Sequence, residues 1–244
     1  MPAKFDHISY PIPNMDFEGN AIVAKQEQAE WRLICIPGAP SLTFLFKRLL
    51  QLTPVSLETV VVNRLGYGKT DNEPVLDFHL QAKIVEPFLK DKRNILLGIS
   101  YGGAIALTAA LNYPDKIEGV ITGAALVNEP RDYAKAIVDF KSFDHLESIT
   151  PRILRHMRAE IKGRRSQIPS LLNNLSNLSI PVEVIHGTLD TLVPLDDAQT
   201  LMAAIGGNAH YKEIVGGTHY LEMQMPQQII NAAIRIIQRI EDHA

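Results

Sequence analysis

The sequence predicts an α/β protein with a doubly wound, mostly parallel sheet and an inserted helical cap. Two short apolar runs, 58–63 and 94–99, lack the alternation of a half-exposed strand and therefore predict strands buried on both faces. The segments 42–52 and 77–89 show apolar residues at helical spacing and lie between such runs. Strands that alternate with helices are typical of a parallel sheet covered on both sides. Over 129–177 the strand signal disappears while helical spacing continues, which indicates the cap.

The other elements are predicted in order along the chain. Residues 22–24 and 31–36 are the first strand candidates, and the second of them ends at a Pro-Gly-Ala-Pro turn, 37–40. An Ala-rich helix begins at Gly102 and has to end before Pro114, because the residue that precedes a proline disfavours helix.

The later part of the chain repeats this alternation. Further strands are predicted at 119–122, 181–186 and 211–215, and further helices at 195–205 and 226–240. The order predicts a core domain formed by 1–128 and 178–244, with the cap, 129–177, inserted between its two parts.

Composition restricts the classes of partner. The chain has 24 Lys and Arg against 27 Asp and Glu, a net charge of −3, so neither nucleic acid nor an anionic membrane is favoured and we expect a small-molecule substrate. A lone cysteine, Cys35, excludes an internal disulfide framework and suits a reducing compartment. Residues 1–16 lack the apolar run of a signal peptide, and no later run is long and apolar enough to span a bilayer. We therefore expect a cytoplasmic protein without membrane insertion, and the oligomeric state stays open.

The sharpest motif is Gly-Ile-Ser-Tyr-Gly-Gly at 98–103, which lies between a predicted strand and a predicted helix. A serine in a tight strand-to-helix turn needs small residues on either side, and Gly98 and Gly102 meet that need. The turn would lift the Ser100 hydroxyl above the sheet. It would also leave the Tyr101 N–H at a helix N-terminus, free to stabilise an oxyanion.

A catalytic serine needs a base and an acid that orients the base. Asp190 lies just past the strand that follows the cap, and His219 lies on a Gly-rich turn after the last predicted strand. The rival acids are Asp196 and Asp197, which are expected to open a helix, and Glu129, which is the reserve candidate. The remaining histidines are expected to be core or surface residues: His7, His79, His145, His156, His186, His210 and His243.

These motifs resemble those of the α/β-hydrolase superfamily, and the resemblance covers nearly the whole chain. Residues 98–103 resemble its nucleophile elbow, 187–194 its acid loop and 217–219 its histidine loop. The segment 37–40 resembles its oxyanion loop, from which the Ala39 N–H is expected as the second oxyanion donor.

Two segments depart from the family pattern. Pro37 stands where the oxyanion loop commonly has histidine, which affects the shape of the loop more than the Ala39 donor. The turn 64–68 resembles an Arg-Gly-x-Gly turn but carries one additional residue, Leu65, and we assign Arg64 to loop architecture.

The resemblance implies a serine hydrolase of the carboxylesterase type. Ser100 would form an acyl-enzyme, His219 would act as general base and Asp190 would orient it, with Ala39 and Tyr101 supplying the oxyanion N–H groups and no cofactor or metal required. Two alternatives stay open. The first is a hydrolase of carbon–carbon bonds in diketones, and the second is a catalytically silent ligand-binding protein of the same fold.

Other patterns give weaker predictions. Gly68 begins a Gly-Lys-Thr sequence that resembles the end of a P-loop. A P-loop requires another glycine five residues earlier, where this chain has Asn63, so the spacing argues against a phosphate-binding loop. A run of basic residues in the cap suits either an anionic substrate or, as we favour, a solvated helix face. Its members are Arg152, Arg155, Arg158, Lys162, Arg164 and Arg165.

Overall fold

A computed structural model of the protein describes residues 5–16, 18–68, 73–128 and 150–242. Within these ranges eight strands form one sheet, and in chain order they are β1 (Asp6–Pro11), β2 (Glu18–Ala24), β3 (Trp31–Ile36), β4 (Leu57–Val62), β5 (Arg93–Ile99), β6 (Gly119–Gly123), β7 (Val182–Gly187) and β8 (Ala209–Ile214). Their spatial order is β1-β2-β4-β3-β5-β6-β7-β8.

The sheet is mostly parallel. The pairs β1–β2 and β2–β4 are antiparallel, and the five pairs from β4–β3 to β7–β8 are parallel. Every residue of β4 is buried, as expected for a strand that is covered on both faces. Apolar clusters pack on both faces of the sheet. The doubly wound prediction is therefore confirmed.

Strand β1 was not predicted from the sequence. It is an edge strand in which Tyr10 is the one buried residue, so it carries no apolar periodicity. Its hydrogen bonds come from β2, and the Tyr10 ring lies over Gly19, where an added Cβ would be 2.4 Å from the ring.

The helices also follow the predicted alternation. In chain order the described α-helices are α1 (Lys47–Leu52), α2 (Phe78–Ala82), α3 (Tyr101–Asn112), α4 (Arg152–Gly163), α5 (Ile168–Asn174), α6 (Asp196–Ile205), α7 (Leu221–Gln224) and α8 (Pro226–Glu241). The helix predicted at 77–89 is shorter than expected, because α2 gives way to a 3₁₀ turn at Lys83–Phe88 that contains Pro87. Within the described ranges no helix is both long and apolar enough to cross a membrane.

Part of the predicted cap is helical in the structure. Helices α4 and α5 occupy 152–163 and 168–174, whereas 129–149, including the reserve acid Glu129, lies outside the described residues. The cap and its boundaries with the core domain stay a prediction.

The centre of the sheet defines where a site can form. Strand β3 connects towards β4 on one side, and β5 connects towards β6 on the other, so the chain order reverses between β3 and β5. Ligands of open α/β sheets bind outside the carboxyl ends of strands at such a switch point. Ser100 follows directly on β5 at this position.

Candidate active site

Ser100 occupies a strained turn between β5 and α3. Its φ of 53° and ψ of −121° lie in a region that the backbone of residues other than glycine rarely adopts. An added Cβ on Gly98 would be 2.3 Å from the Gly102 oxygen, and one on Gly102 would be 2.3 Å from the Ile36 oxygen. Both positions therefore admit only glycine. The Ser100 N–H donates to the Gly123 oxygen at 2.9 Å, which holds the turn in place.

His219 and Asp190 are in direct contact, although they are 29 residues apart in the chain. The Nδ1 atom of His219 lies 2.9 Å from Oδ2 of Asp190. The other oxygen of Asp190, Oδ1, accepts the N–H groups of Leu192 and Val193 at 2.8 and 2.9 Å. These two bonds fix the carboxylate, which leaves Oδ2 directed at the imidazole ring.

A second histidine touches the same carboxylate. The Nε2 atom of His186 lies 3.3 Å from Asp190 Oδ2 and 3.2 Å from the Val193 oxygen. Burial alone would raise the pKa of Asp190, but the hydrogen bonds from His186, His219 and the Val193 N–H hold it well below its ordinary value. Asp190 is therefore an anion at neutral pH. From the sequence we expected an ordinary structural role for His186, and we did not expect its contact with Asp190.

Ser100 and His219 face the same cavity, which has a volume of about 80 Å³. Its walls are mostly apolar, and they are formed by Pro37, Gly38, Ala39, Pro40, Leu42, Leu45, Phe46, Ile99, Ser100, Leu192, His219, Tyr220 and Glu222. The described hydrogen bonds do not include one between the Ser100 hydroxyl and the His219 ring. Such bonds are often long in enzymes without substrate.

The predicted oxyanion loop passes directly beside the serine. An added Cβ on Gly38 would be 3.0 Å from the Ser100 Cβ, and Ala39 lines the same cavity. Tyr101 opens α3, and the first N–H groups of a helix have no partner within it. Both predicted donor residues therefore lie next to Ser100.

The side chain of Arg64 holds the loop 37–40 through its main chain. Its Nε and Nη2 donate to the Gly38 oxygen at 3.2 and 2.8 Å, and Nη2 also donates to Glu160 Oε2 at 2.9 Å. Tyr67 donates its hydroxyl to the same Glu160 oxygen at 2.7 Å. The side chains of Arg64 and Glu160 are fully buried. The assignment of Arg64 to loop architecture is confirmed, and Glu160 extends the anchor into α4.

Two expectations about charged residues have different outcomes. Asp196 and Asp197 open α6 as expected, and Asp197 Oδ2 accepts the N–H groups of Val127 and Asn128. The prediction of a solvated basic face is wrong for Arg158 and Arg164, because both are buried in the structure. Amphipathic spacing does not distinguish an exposed basic face from one that packs against a neighbouring segment.

Glu222 was not predicted as a site residue. It lies three residues after His219, in α7, and is one of the residues that line the cavity. Burial raises the pKa of Glu222 to about 7. The spacing of three residues from a catalytic candidate was a signal in the sequence, but a glutamate on a short helix is far more often exposed.

A larger cavity, of about 660 Å³, lies elsewhere, between α2, α3 and α5. It contains neither Ser100 nor His219. Its titratable residues are already bonded locally, since Asp77 caps α2 through the Leu80 N–H and His79 Nδ1 lies 3.1 Å from the Asn112 side-chain oxygen. We therefore place the candidate active site at the smaller cavity, where the reactive groups converge.

Comparison with known proteins agrees with the observed fold. A family model described as the alpha/beta hydrolase fold matches residues 32–145. Among curated relatives, the biotin biosynthesis bifunctional protein BioHC of Cellvibrio japonicus (strain Ueda107) is 27% identical, and the match covers 75% of this chain and 42% of that protein. The chain thus spans less than half the length of that relative.

Solved structures have the same fold. A thermophilic esterase from Thermogutta terrifontis superposes with a TM-score of 0.68 at 16% identity, covering 96% of this chain and 99% of the esterase. The epoxide hydrolase CorEH gives a TM-score of 0.72 at 13% identity, covering 97% of this chain and all of that chain. The chain therefore has the α/β-hydrolase fold, and residues 32–145 match the model of that family. Because one fold carries both activities, the chemistry has to be argued from the site.

Proposed function

We propose that the protein is a serine hydrolase that cleaves small carboxylic esters through an acyl-enzyme on Ser100. The observation that carries the proposal is the hydrogen bond between His219 and Asp190 beside the strained Ser100 turn. Epoxide hydrolases of the α/β-hydrolase superfamily carry aspartate at the elbow, whereas a serine in that position suits acyl transfer.

The Asp190 contact determines which nitrogen of His219 can act as base. An ionised carboxylate at 2.9 Å from Nδ1 requires a proton on Nδ1, so the lone pair is on Nε2. Nε2 then takes the proton of Ser100 as Oγ bonds to the ester carbonyl carbon. The carbonyl electron pair moves onto its oxygen, and the N–H groups of Ala39 and Tyr101 would stabilise this oxyanion.

Collapse of the tetrahedral intermediate breaks the carbon–oxygen bond to the alcohol, which leaves with the proton held by His219. A water molecule then attacks the acyl-enzyme, and His219 again accepts the proton. The second collapse releases the acid and returns the proton to Ser100. Asp190 stays ionised throughout, which its lowered pKa favours.

The cavity favours a small substrate group. Ligand sites commonly enclose about 300–1,000 Å³, whereas the part of this site that the described residues enclose is about 80 Å³. A short acyl chain or a small alcohol fits such a space better than a fatty acyl chain does.

The proposal is tested by measuring hydrolysis of p-nitrophenyl esters with two, four, eight and twelve acyl carbons. The wild type is expected to hydrolyse the short esters, and Ser100→Ala is expected to lower kcat/KM by at least about a thousandfold. Ser176→Ala is the matched control, because Ser176 is exposed and does not line the cavity.

The same assay separates the alternatives. Negligible ester turnover with release of two carbon fragments from a diketone would replace the esterase by the carbon–carbon hydrolase. A folded wild type that turns over neither substrate class would favour the silent ligand-binding protein.

A further inference from the structure

Glu222 places a buried carboxyl group beside the proposed reaction centre. The residue is 2% exposed, and its Oε2 atom has no hydrogen-bond partner among the described residues. Leaving a buried carboxyl oxygen unpaired destabilises the folded state, and it does so more strongly when the group is charged. The protein therefore tolerates a polar group here that its own fold does not satisfy.

Glu222 borders a space that a ligand can enter. Glu222 lines the same cavity as Ser100 and His219, and the neighbouring wall is apolar, with Leu45 and Phe46 among its members. A substrate group in this cavity thus meets a carboxyl group against an apolar background. Such a background strengthens a hydrogen bond and penalises a polar group that lacks one.

The protonation state suits a hydrogen-bond acceptor. With a pKa raised to about 7 by burial, the carboxyl group is present in both forms near neutral pH. A ligand that donates a hydrogen bond stabilises the ionised form, so binding of the donor and ionisation of Glu222 favour each other.

We propose that Glu222 determines the specificity of the site by accepting a hydrogen bond from an amino or hydroxyl substituent on the substrate group that enters the cavity. This inference rests on the proposed esterase function. It narrows the substrate class to short esters whose acyl or alcohol part carries such a donor a few bonds from the ester carbonyl.

The experiment uses esters that differ only at one end of a short chain. In the acyl series, p-nitrophenyl esters of butanoic, 3-hydroxypropanoic and 3-aminopropanoic acid place a methyl, hydroxyl or ammonium group at the same position. In the alcohol series, the acetates of propan-1-ol, ethane-1,2-diol and 2-aminoethanol do the same. The readout is the ratio of kcat/KM between each donor ester and its methyl counterpart at pH 7, with uncatalysed hydrolysis subtracted.

Three variants test whether Glu222 causes the preference for esters with a hydrogen-bond donor. Glu222→Met removes the carboxyl group while retaining the length of the side chain, and Glu222→Gln removes the charge but keeps an acceptor oxygen. Glu213→Gln is the matched control, since Glu213 is exposed on β8 and does not line the cavity. Thermal unfolding of each variant establishes that it is folded.

In at least one series, the kcat/KM of the wild type and of Glu213→Gln is expected to be at least tenfold higher for an ester with a hydroxyl or ammonium group than for the ester with a terminal methyl group. Glu222→Met is expected to bring that ratio close to one. If the preferred donor is the ammonium group, Glu222→Gln removes the preference, whereas a hydroxyl preference survives in part because the amide oxygen still accepts.

Other results overturn the inference. Ratios close to one in both series of the wild type, or a donor preference that persists in Glu222→Met, contradict the specificity role of Glu222. Turnover of the esters with a terminal methyl group would still support the proposed esterase function in that case. If the wild type hydrolyses none of the six esters, the proposed function fails and the inference fails with it. An equal loss of kcat for all esters in Glu222→Met, with unchanged ratios, would assign Glu222 to support of His219 and reject the specificity role.

Discussion

The guanidinium group of Arg64 donates two hydrogen bonds to the main-chain oxygen of Gly38, and Gly38 in turn lies against the Ser100 side chain. The charge of Arg64 is balanced by the buried carboxylate of Glu160 on α4. One buried ion pair therefore connects the loop beside the serine to a helix of the predicted cap. Arg64 is a positioning residue in this arrangement, because it does not line the cavity itself.

Replacement of Arg64 by methionine is expected to affect both stability and turnover. The change leaves the Glu160 carboxylate buried without its cation, which costs about 3–5 kcal/mol of unfolding free energy. It also frees the Gly38 carbonyl, so that the oxyanion donors lose their alignment and kcat falls at least about tenfold while KM changes little. Chemical denaturation and steady-state kinetics with a short ester measure the two effects.

A double variant separates these effects. Arg64→Met combined with Glu160→Met removes both charges, so most of the lost stability is expected to return. The reduced kcat is expected to remain, because Gly38 still lacks its donors. Recovery of kcat together with stability would show that Arg64 acts through folding alone and does not align the loop.

Asp190→Asn tests the orientation of His219. Oδ1 accepts two backbone N–H groups, so the asparagine oxygen would take that position and its NH₂ group would face His219. The imidazole would then have to accept at Nδ1 and carry its proton on Nε2, which cannot take the Ser100 proton. We expect kcat to fall by about 10³–10⁴ and thermal stability to decrease, because the NH₂ group would also replace the oxygen that lies beside His186 Nε2. A decrease of less than about tenfold in a folded variant would reject the proposed role of Asp190.

Gly98→Ala tests the close packing of the elbow. The added methyl group would lie 2.3 Å from the Gly102 oxygen and 2.6 Å from the Gly103 Cα, and both belong to the main chain of the elbow. A loss of several kcal/mol or failure to fold is expected. Gly207→Ala is the control, because its added methyl group meets nothing within 4 Å. Equal unfolding free energies for the two variants would contradict the packing argument.

Glu222 makes stability depend on pH. Its pKa is raised from 4.5 in the unfolded chain to about 7 in the folded protein, so the folded state holds more protons between these values and stability falls as pH rises through them. Glu222→Gln lacks this dependence. The unfolding free energy of the variant relative to wild type is therefore expected to increase by about 3 kcal/mol between pH 4.5 and pH 8. A difference that stays constant with pH would argue against a raised pKa of Glu222.

Much of the fold could be predicted from the sequence because buried parallel strands carry a strong local signal. The apolar runs at 58–63 and 94–99 correspond to β4 and β5 within one residue at each end. Edge strand β1 escaped prediction because it is stabilised by its partner strand and buries a single side chain.

The three candidate residues of the proposed site could also be singled out from the sequence. Ser100 and His219 lie on glycine-containing turns, and Asp190 was chosen because it follows the strand after the predicted cap. The structure brings Asp190 and His219 into contact and His219 to the cavity of Ser100. His186 and Glu222 could not be found so easily, because their importance depends on distances across the fold. The same limit explains the error at Arg158 and Arg164, whose burial depends on neighbouring segments.

Labelling with a fluorescent fluorophosphonate, followed by peptide mass spectrometry, tests most directly whether Ser100 is an activated nucleophile. The reagent requires a nucleophilic serine but assumes no particular substrate. We expect a single label on Ser100 in the wild type, no label in Ser100→Ala and slow labelling in Asp190→Asn. A folded wild type that stays unlabelled, or that carries its label on another serine, would show that Ser100 is not the activated nucleophile.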